Sequence, residues 1–206
     1  MFNNETYVAS VDINSYIDGL GEMVRMYIKK GFEPYIISFM FRLSALNTSA
    51  SQQMMMIESE INRVYSRFLT ETVRYPWSKG NVGNRPILIA CPDWPVFKWK
   101  TTFKRIYLPH EGIHVGGILL VPPRNNLKNG VKDHFETVKR KAYVRPGFPL
   151  SRIHIQHMDD SYGRAVDYSF KSLKRRRCTF DDLIYLPDSQ SERPSRGPNE
   201  RGISGR

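Results

Sequence analysis

The segment Gly112-Ile-His-Val-Gly-Gly-Ile-Leu-Leu-Val-Pro122 constrains this chain most. Read at period two, Ile113, Val115, Leu119 and Val121 face one side, and His114, Gly116, Ile118 and Leu120 face the other. A strand apolar on both faces belongs in the middle of a sheet that is covered on both sides. The apolar run Val115 to Pro123 is nine residues long, far below the roughly 20 needed to span a bilayer.

The elements around this strand can be read in order. Ile17, Leu20, Val24 and Ile28 keep helical spacing within Asn14 to Lys30, with Asn14 or Ser15 as cap and Gly31 as terminator. Pro34 to Leu43 alternates Tyr35, Ile37, Phe39, Phe41 and Leu43 against Ile36, Ser38, Met40 and Arg42, the pattern of a buried strand. Met54, Ile57, Ile61, Val64, Phe68 and Leu69 predict a long helix from about Ser49 to Val73, capped by Ser49 or Ser51 and stopped by Pro76. Two short strands are expected at Pro86 to Ala90 and Val96 to Leu108. A short helix follows, marked by Val131, Phe135, Val138 and Ala142. A strand at Arg152 to Met158, one helix from Tyr162 to Arg177 and a short strand at Leu183 to Leu186 complete the domain. The irregular alternation predicts an α+β fold, a central antiparallel sheet of about five strands with flanking helices. Residues 1–186 form one domain on this reading. Residues 187–206, rich in Ser, Pro, Gly and Arg with Ile203 as the one large apolar residue, read as a disordered basic tail.

Charge narrows the partners. Lys and Arg number 31 against 20 Asp and Glu, a net charge of +11, which favours a polyanion. Cys91 and Cys178 are the two cysteines and form no CxxC, so a disulfide scaffold and a Cys-rich zinc module are excluded. Met1 to Ser10 lacks the basic-then-apolar pattern of a secretory signal. The expectation is a cytoplasmic protein with no membrane partner. No Walker-type phosphate loop occurs, so no fused helicase is present in this chain.

Two places carry chemistry. With Val166 set at zero on a helical wheel, Phe170 and Leu173 form the apolar stripe, and Tyr168 falls at about 200° between Lys171 near 140°, Arg164 near 160° and Arg175 near 180°. Cations beside a phenol stabilise its phenolate and hold a phosphate against it, as attack on a phosphodiester requires. The same pattern also suits a surface helix whose Tyr covers apolar area. Arg164, Lys174, Arg175, Arg176 and Arg177 form a basic block around Tyr168, and Lys132, Lys139, Arg140, Lys141 and Arg145 form another. Tyr143, Phe148 and Tyr162 lie between them, and such rings suit unpaired bases. The second place is His114. An imidazole at a strand end is a metal ligand or a hydrogen-bonded core residue, and His110, His154, Gln156 or His157 could complete a metal site.

The chain resembles the HUH endonucleases, specifically the replication-initiator (Rep) branch of rolling-circle elements. Pro34-Tyr-Ile-Ile-Ser-Phe-Met-Phe41 is similar to that family's early hydrophobic strand with a hydroxyl residue. Ile113-His-Val-Gly-Gly-Ile-Leu-Leu-Val-Pro122 matches its His-hydrophobic-His strand, with Gly116 in place of the second His. Tyr168-Ser-Phe-Lys171 resembles its Tyr-x-x-Lys helix. The resemblance covers roughly residues 32–177 and implies a Rep-like, ferredoxin-like palm. It implies Tyr168 and Lys171 as catalytic residues and Mg²⁺ or Mn²⁺ as cofactor. The metal would be held by His114 with His154 and Gln156, since position 116 offers no ligand. Its substrate would be single-stranded DNA or a hairpin origin, with host replication proteins as further partners. The implied reaction is nicking and rejoining through a tyrosine–phosphodiester intermediate, in replication initiation or mobile-element processing. Two alternatives stand beside it. One is a catalytically degenerate Rep-like protein that binds single-stranded nucleic acid. The other is an RNA-binding α+β domain, which would expose aromatics on its sheet.

Overall fold

A strand that is apolar on both sides needs cover on both sides, and the fold supplies it. The computed structural model describes residues 12–42, 48–93, 113–159 and 162–187. The expected strand at Val96 to Leu108, His110 and residues 188–206 of the tail lie outside the described residues. The elements are helix α1 (Ile13–Lys29), strand β1 (Glu33–Phe41), helix α2 (Ala50–Thr72), strands β2 (Ile87–Asp93) and β3 (His114–Val121), and short helices α3 (Val131–Asp133) and α4 (Arg140–Tyr143). Strand β4 (Leu150–His157), helices α5 (Tyr162–Ser169) and α6 (Lys171–Lys174), and strand β5 (Ile184–Leu186) follow.

The five strands form one antiparallel sheet in the order β4-β1-β3-β2-β5. β3 sits in the centre, as its two apolar faces require. The first four strands, with α2 and the α3–α4 segment as crossovers, run β-α-β-β-α-β, the ferredoxin-like arrangement. The α+β class and the central antiparallel sheet follow the sequence expectation.

One face of the sheet is closed by α2 and the α3–α4 segment. Tyr35, Ile37, Phe39 and Phe41 of β1, Val115 and Leu119 of β3, and Ile153 and Ile155 of β4 pack there against Ile57, Ile61, Val64 and Phe68. Ser49 caps α2 in a capping box with Gln52, each side chain meeting the other's backbone N–H. The opposite face is covered by α1, α5 and α6. Ile17, Leu20 and Val24 of α1 meet Ile89, Ile118, Leu120, Val166, Phe170 and Leu173. Each such fully buried aliphatic side chain contributes about 1.5–3 kcal/mol. Asp12, one residue ahead of α1, accepts from the N–H groups of Asn14 and Ser15 and is its cap, two to three residues before the expected one.

The α3–α4 segment departs from the predicted stripe. A π turn spans His134–Val138, with the Lys139 N–H donating to the His134 carbonyl. The extra residue turns Val138 out to solvent and brings Tyr143 inward. Its hydroxyl lies 2.8 Å from His134 Nε2 inside the core. β2 also runs three residues past its expected end at Ala90. Pro92 halts no pairing there because β5 pairs only with Leu88, Ile89 and Ala90, so the outer side of Pro92 needs no ladder N–H.

No helix among the described residues is long and apolar enough to cross a membrane.

Candidate functional site

Antiparallel pairing puts registered residues side by side on one face, and this decides which polar groups meet. On the face carrying α1, α5 and α6, one row reads His154, Ser38, Gly116, Cys91 across β4, β1, β3 and β2. The next row reads Arg152, Met40, His114, Asp93. Ile118, Leu120, Ile89 and Cys91 are buried under the helices, whereas Ser38, Met40 and His154 are partly exposed and Arg152 and Gln156 are exposed. The helices therefore cover the β3–β2 half of this face and leave the β1–β4 half open.

Asp93 is the hub of the site. Its Oδ2 lies 2.7 Å from Lys171 Nζ, and its Oδ1 accepts a 2.6 Å hydrogen bond from Ser172 Oγ. Desolvation acts to raise this carboxyl, but the bonds from Lys171 and Ser172 and the charges of Lys171 and Arg177 outweigh it and hold it below its ordinary value. Lys171 in turn places its ammonium 4.6 Å from the centroid of the Tyr168 ring. Tyr168 is 66% exposed. His114 is the registered neighbour of Asp93 on the same face. Tyr168, Lys171 and Asp93 thus form one chain of contacts at the end of β2, with His114 registered opposite Asp93 at the start of β3.

The expected single helix from Tyr162 to Arg177 is two helices. Phe170 leaves the helical region at φ −106°, ψ 20°, between α5 and α6. Asp93 explains the direction of the break: it draws Lys171 and Ser172 towards the sheet while Tyr168 stays outside. Phe170 and Leu173 still reach the core together. Arg176 ends α6 in the left-handed region (φ 52°), where the Arg176 and Arg177 N–H groups bond back to Leu173 and Ser172.

The basic block divides in the same way. Lys174 is bound to Asp167 at 2.6 Å, and Lys171 to Asp93. Arg164, Arg175 and Arg176 are exposed and have no acidic partner among the described residues. Lys171, rather than Arg164 or Arg175, is the cation that meets the Tyr168 ring.

The three residues expected as metal ligands are not brought together. His154 and Gln156 lie on β4, two strand spacings or about 10 Å from the strand of His114. His154 Nδ1 sits 2.9 Å from Glu136 Oε1, and the same oxygen accepts the Ile155 N–H at the outer edge of β4. Among the described residues, no three His, Cys, Asp or Glu side chains converge to hold an ion. The acid beside His114 is Asp93, which the sequence reading passed over. Its signal was an apolar strand, Ile87 to Cys91, closing on a carboxylate after Pro92.

Gly116 and Gly117 differ in kind. A Cβ on Gly116 would meet the Ser169 carbonyl at 3.7 Å, an ordinary contact, so the end of α5 rests over bare strand. A Cβ on Gly117 would lie 2.5 Å from the Ile89 carbonyl oxygen and 2.9 Å from Ala90 Cα, where neither backbone can yield. Beneath α6, Cys91 and Cys178 sit with their sulfurs 3.4 Å apart, both buried. The contact with Cys178, followed by burial, pushes the Cys91 thiol up and keeps it protonated.

Comparison of this chain with known family models, curated proteins and solved structures returned no match.

Proposed function

We propose that this protein nicks and rejoins single-stranded DNA, or a melted hairpin, through a tyrosine–phosphodiester intermediate, as a replication initiator or mobile-element processing enzyme. The observation that carries the reading is the group formed by exposed Tyr168, Lys171 over its ring, and Asp93 tethering Lys171 beside His114. The ferredoxin-like strand order supports it, because it puts the His114 strand in the centre and Tyr168 on the helix after β4.

A divalent ion such as Mg²⁺ or Mn²⁺ would be held by the Asp93 carboxylate, which also carries Lys171 and Ser172, and by the His114 imidazole at the neighbouring strand end. Ser169 Oγ is buried with no partner among the described residues, on the residue whose carbonyl faces Gly116, and such a hydroxyl fits one of the ion's waters. When bound, the ion supplies polarisation of the phosphoryl oxygen and stabilises its developing charge. The chain's own residues do the rest. Tyr168 Oη forms a bond to phosphorus as the bond to the 3′ oxygen breaks. The phenol proton passes to solvent, the leaving 3′ oxygen takes a proton from solvent, and a 5′-phosphotyrosine and a free 3′-hydroxyl remain. Lys171 holds the phosphate against the ring it covers. Arg164, Arg175 and Arg176 bind the flanking backbone. Attack by the 3′-hydroxyl reverses the step and rejoins the strand.

The test is a labelled single-stranded oligonucleotide library with Mn²⁺, resolved on a denaturing gel. A covalent adduct is expected with the natural chain and none with Tyr168→Phe. An adduct that persists in Tyr168→Phe removes Tyr168 as nucleophile. The second reading, a non-catalytic binder, is favoured by Gly116, which brings no ligand to the row beside Asp93. It predicts salt-dependent DNA binding with no adduct under any metal.

A further inference from the structure

A second groove lies on the same side of the sheet, at the other end of β2. It has a volume of about 300 Å³ and is walled by Met23 and Tyr27 of α1, Phe32, and Tyr185 of β5, with Arg85 among its lining residues. Tyr185 registers with Ile89, which places it on the sheet face that carries Asp93. From Ile89 to Asp93 the strand advances about 13 Å.

Three properties of the groove point to one ligand chemistry. The first is its aromatic wall. Tyr185 is 40% exposed, although an apolar ring on a sheet gains by being covered. Tyr27 and Phe32 meet edge to face at 5.0 Å, which leaves ring surface towards the groove. The second is its charge. Arg85 is only 9% exposed, donates from Nε to the Pro76 carbonyl at 2.6 Å, and lies over the Trp77 ring. It has no carboxylate partner among the described residues. A buried guanidinium with no acid is held ready for an anion. Lys30, over the Tyr27 ring at 5.1 Å, adds a second cation nearby, and no acidic residue lines the groove among the described residues. The third is its size, at the small end of ligand sites and adequate for one nucleotide. A groove of similar volume between α1 and α5 has three carboxylates, Asp18, Glu22 and Asp167, against the one cation Arg25, which is paired with Glu22, and so disfavours a phosphate.

We infer that this groove binds one nucleotide of a single strand, with its base on Tyr185 and Tyr27 and its phosphate at Arg85. The inference rests on the reading of the protein as a handler of single-stranded DNA and adds a contact remote from Tyr168. It makes the protein read its strand at two points along β2.

The test uses the full chain. A fluorescent oligodeoxythymidylate is titrated by anisotropy, and dTMP and inorganic phosphate are titrated by NMR. The expected result is oligonucleotide affinity about tenfold weaker in Tyr185→Ala, the loss of one base stack. Arg85→Gln weakens it similarly. Because Arg85 also anchors Pro76, Tyr27→Leu serves as an independent variant outside that anchor. The expected dTMP shifts map to Tyr27, Phe32 and Tyr185, and phosphate alone leaves Tyr185 unmoved. Equal oligonucleotide affinity in Tyr185→Ala and Tyr27→Leu overturns the groove, as does phosphate shifting the same residues as dTMP. The Tyr168 adduct is scored separately. A lost groove with an intact adduct leaves the nicking proposal standing, and groove binding without an adduct leaves the groove standing.

Discussion

The two faces of the sheet are built from the same strands and differ in what they tolerate. On the closed face every β1 position from Tyr35 to Phe41 is buried, and α2 runs its full 23 residues across it. On the other face the alternate β1 residues Ile36, Ser38 and Met40 are only partly covered, and beside the 17-residue α1 the helix that carries Tyr168 and Lys171 is broken into the short α5 and α6. The closed face secures the register by burying one set of side chains, since a one-residue slip would expose them all. With the register secured, the margin of the other face can carry Asp93, His114 and Lys171 beside its own core of α1, α5 and α6. The chemistry thus sits at the uncovered margin of the second core, while the first core is closed along the whole of β1.

This division can be broken by mutation. Phe39→Ala, on the closed face, should cost about 3–5 kcal/mol in urea unfolding. An equal loss from Tyr168→Phe would end the division, because that exposed ring should change stability by less than about 0.5 kcal/mol. Asp93→Ala should cost about 2–3 kcal/mol, as it strands Lys171 and buried Ser172. Faster amide exchange from Lys171 to Lys174 is expected with it, and unchanged exchange there would show that Asp93 does not anchor α6. Gly117→Ala should cost roughly 1–3 kcal/mol through its backbone collision, while Gly116→Ala stays within about 0.5 kcal/mol. Thermal melts of the two variants decide this.

His134 gives a pH test of the closed face. Burial lowers its pKa below the usual 6.5, ahead of opposing contributions from nearby charges. The unfolded chain then binds a proton that the folded chain refuses. Stability is full above about pH 6.5 and falls as the pH drops below it towards the folded value. The urea midpoint should therefore fall between pH 7.5 and pH 5.5, and His134→Phe should flatten that slope. The smallest effect belongs to Lys174→Ala. It removes an exposed pair with Asp167 and should cost under about 0.5 kcal/mol by the same unfolding measurement.

The closed face was the legible one. Alternation in Pro34 to Leu43 and helical spacing from Met54 to Leu69 record burial directly; β1 forms over Glu33–Phe41, with Leu43 outside the described residues, and α2 spans Met54 to Leu69. The apolar character of both sides of β3 also gave its central place. The site was legible only in part. Tyr168 and Lys171 stand out locally, three residues apart in a basic block. Asp93 does not, because its importance comes from a pairing with a strand that follows twenty residues later in the chain. Pro92 hid it further by resembling a strand end. The break at Phe170 is likewise invisible to periodicity, since Val166, Phe170 and Leu173 fit an unbroken helix equally well. His154 looked available for a metal because nothing near it in sequence reveals Glu136.

Glu136 has a consequence at high protein concentration. Strand β4 forms one margin of the sheet, and an uncapped margin is a template on which a neighbouring molecule can lay a strand. Glu136 occupies the outward Ile155 N–H, and desolvation, which would raise its carboxyl, is overcome by that bond and by His154. The opposite margin is only three residues long, and Pro92 beyond it has no N–H to offer. Among the described residues, one outward N–H of β4 is thus occupied and the opposite margin is short, and both features disfavour pairing with a strand of another copy.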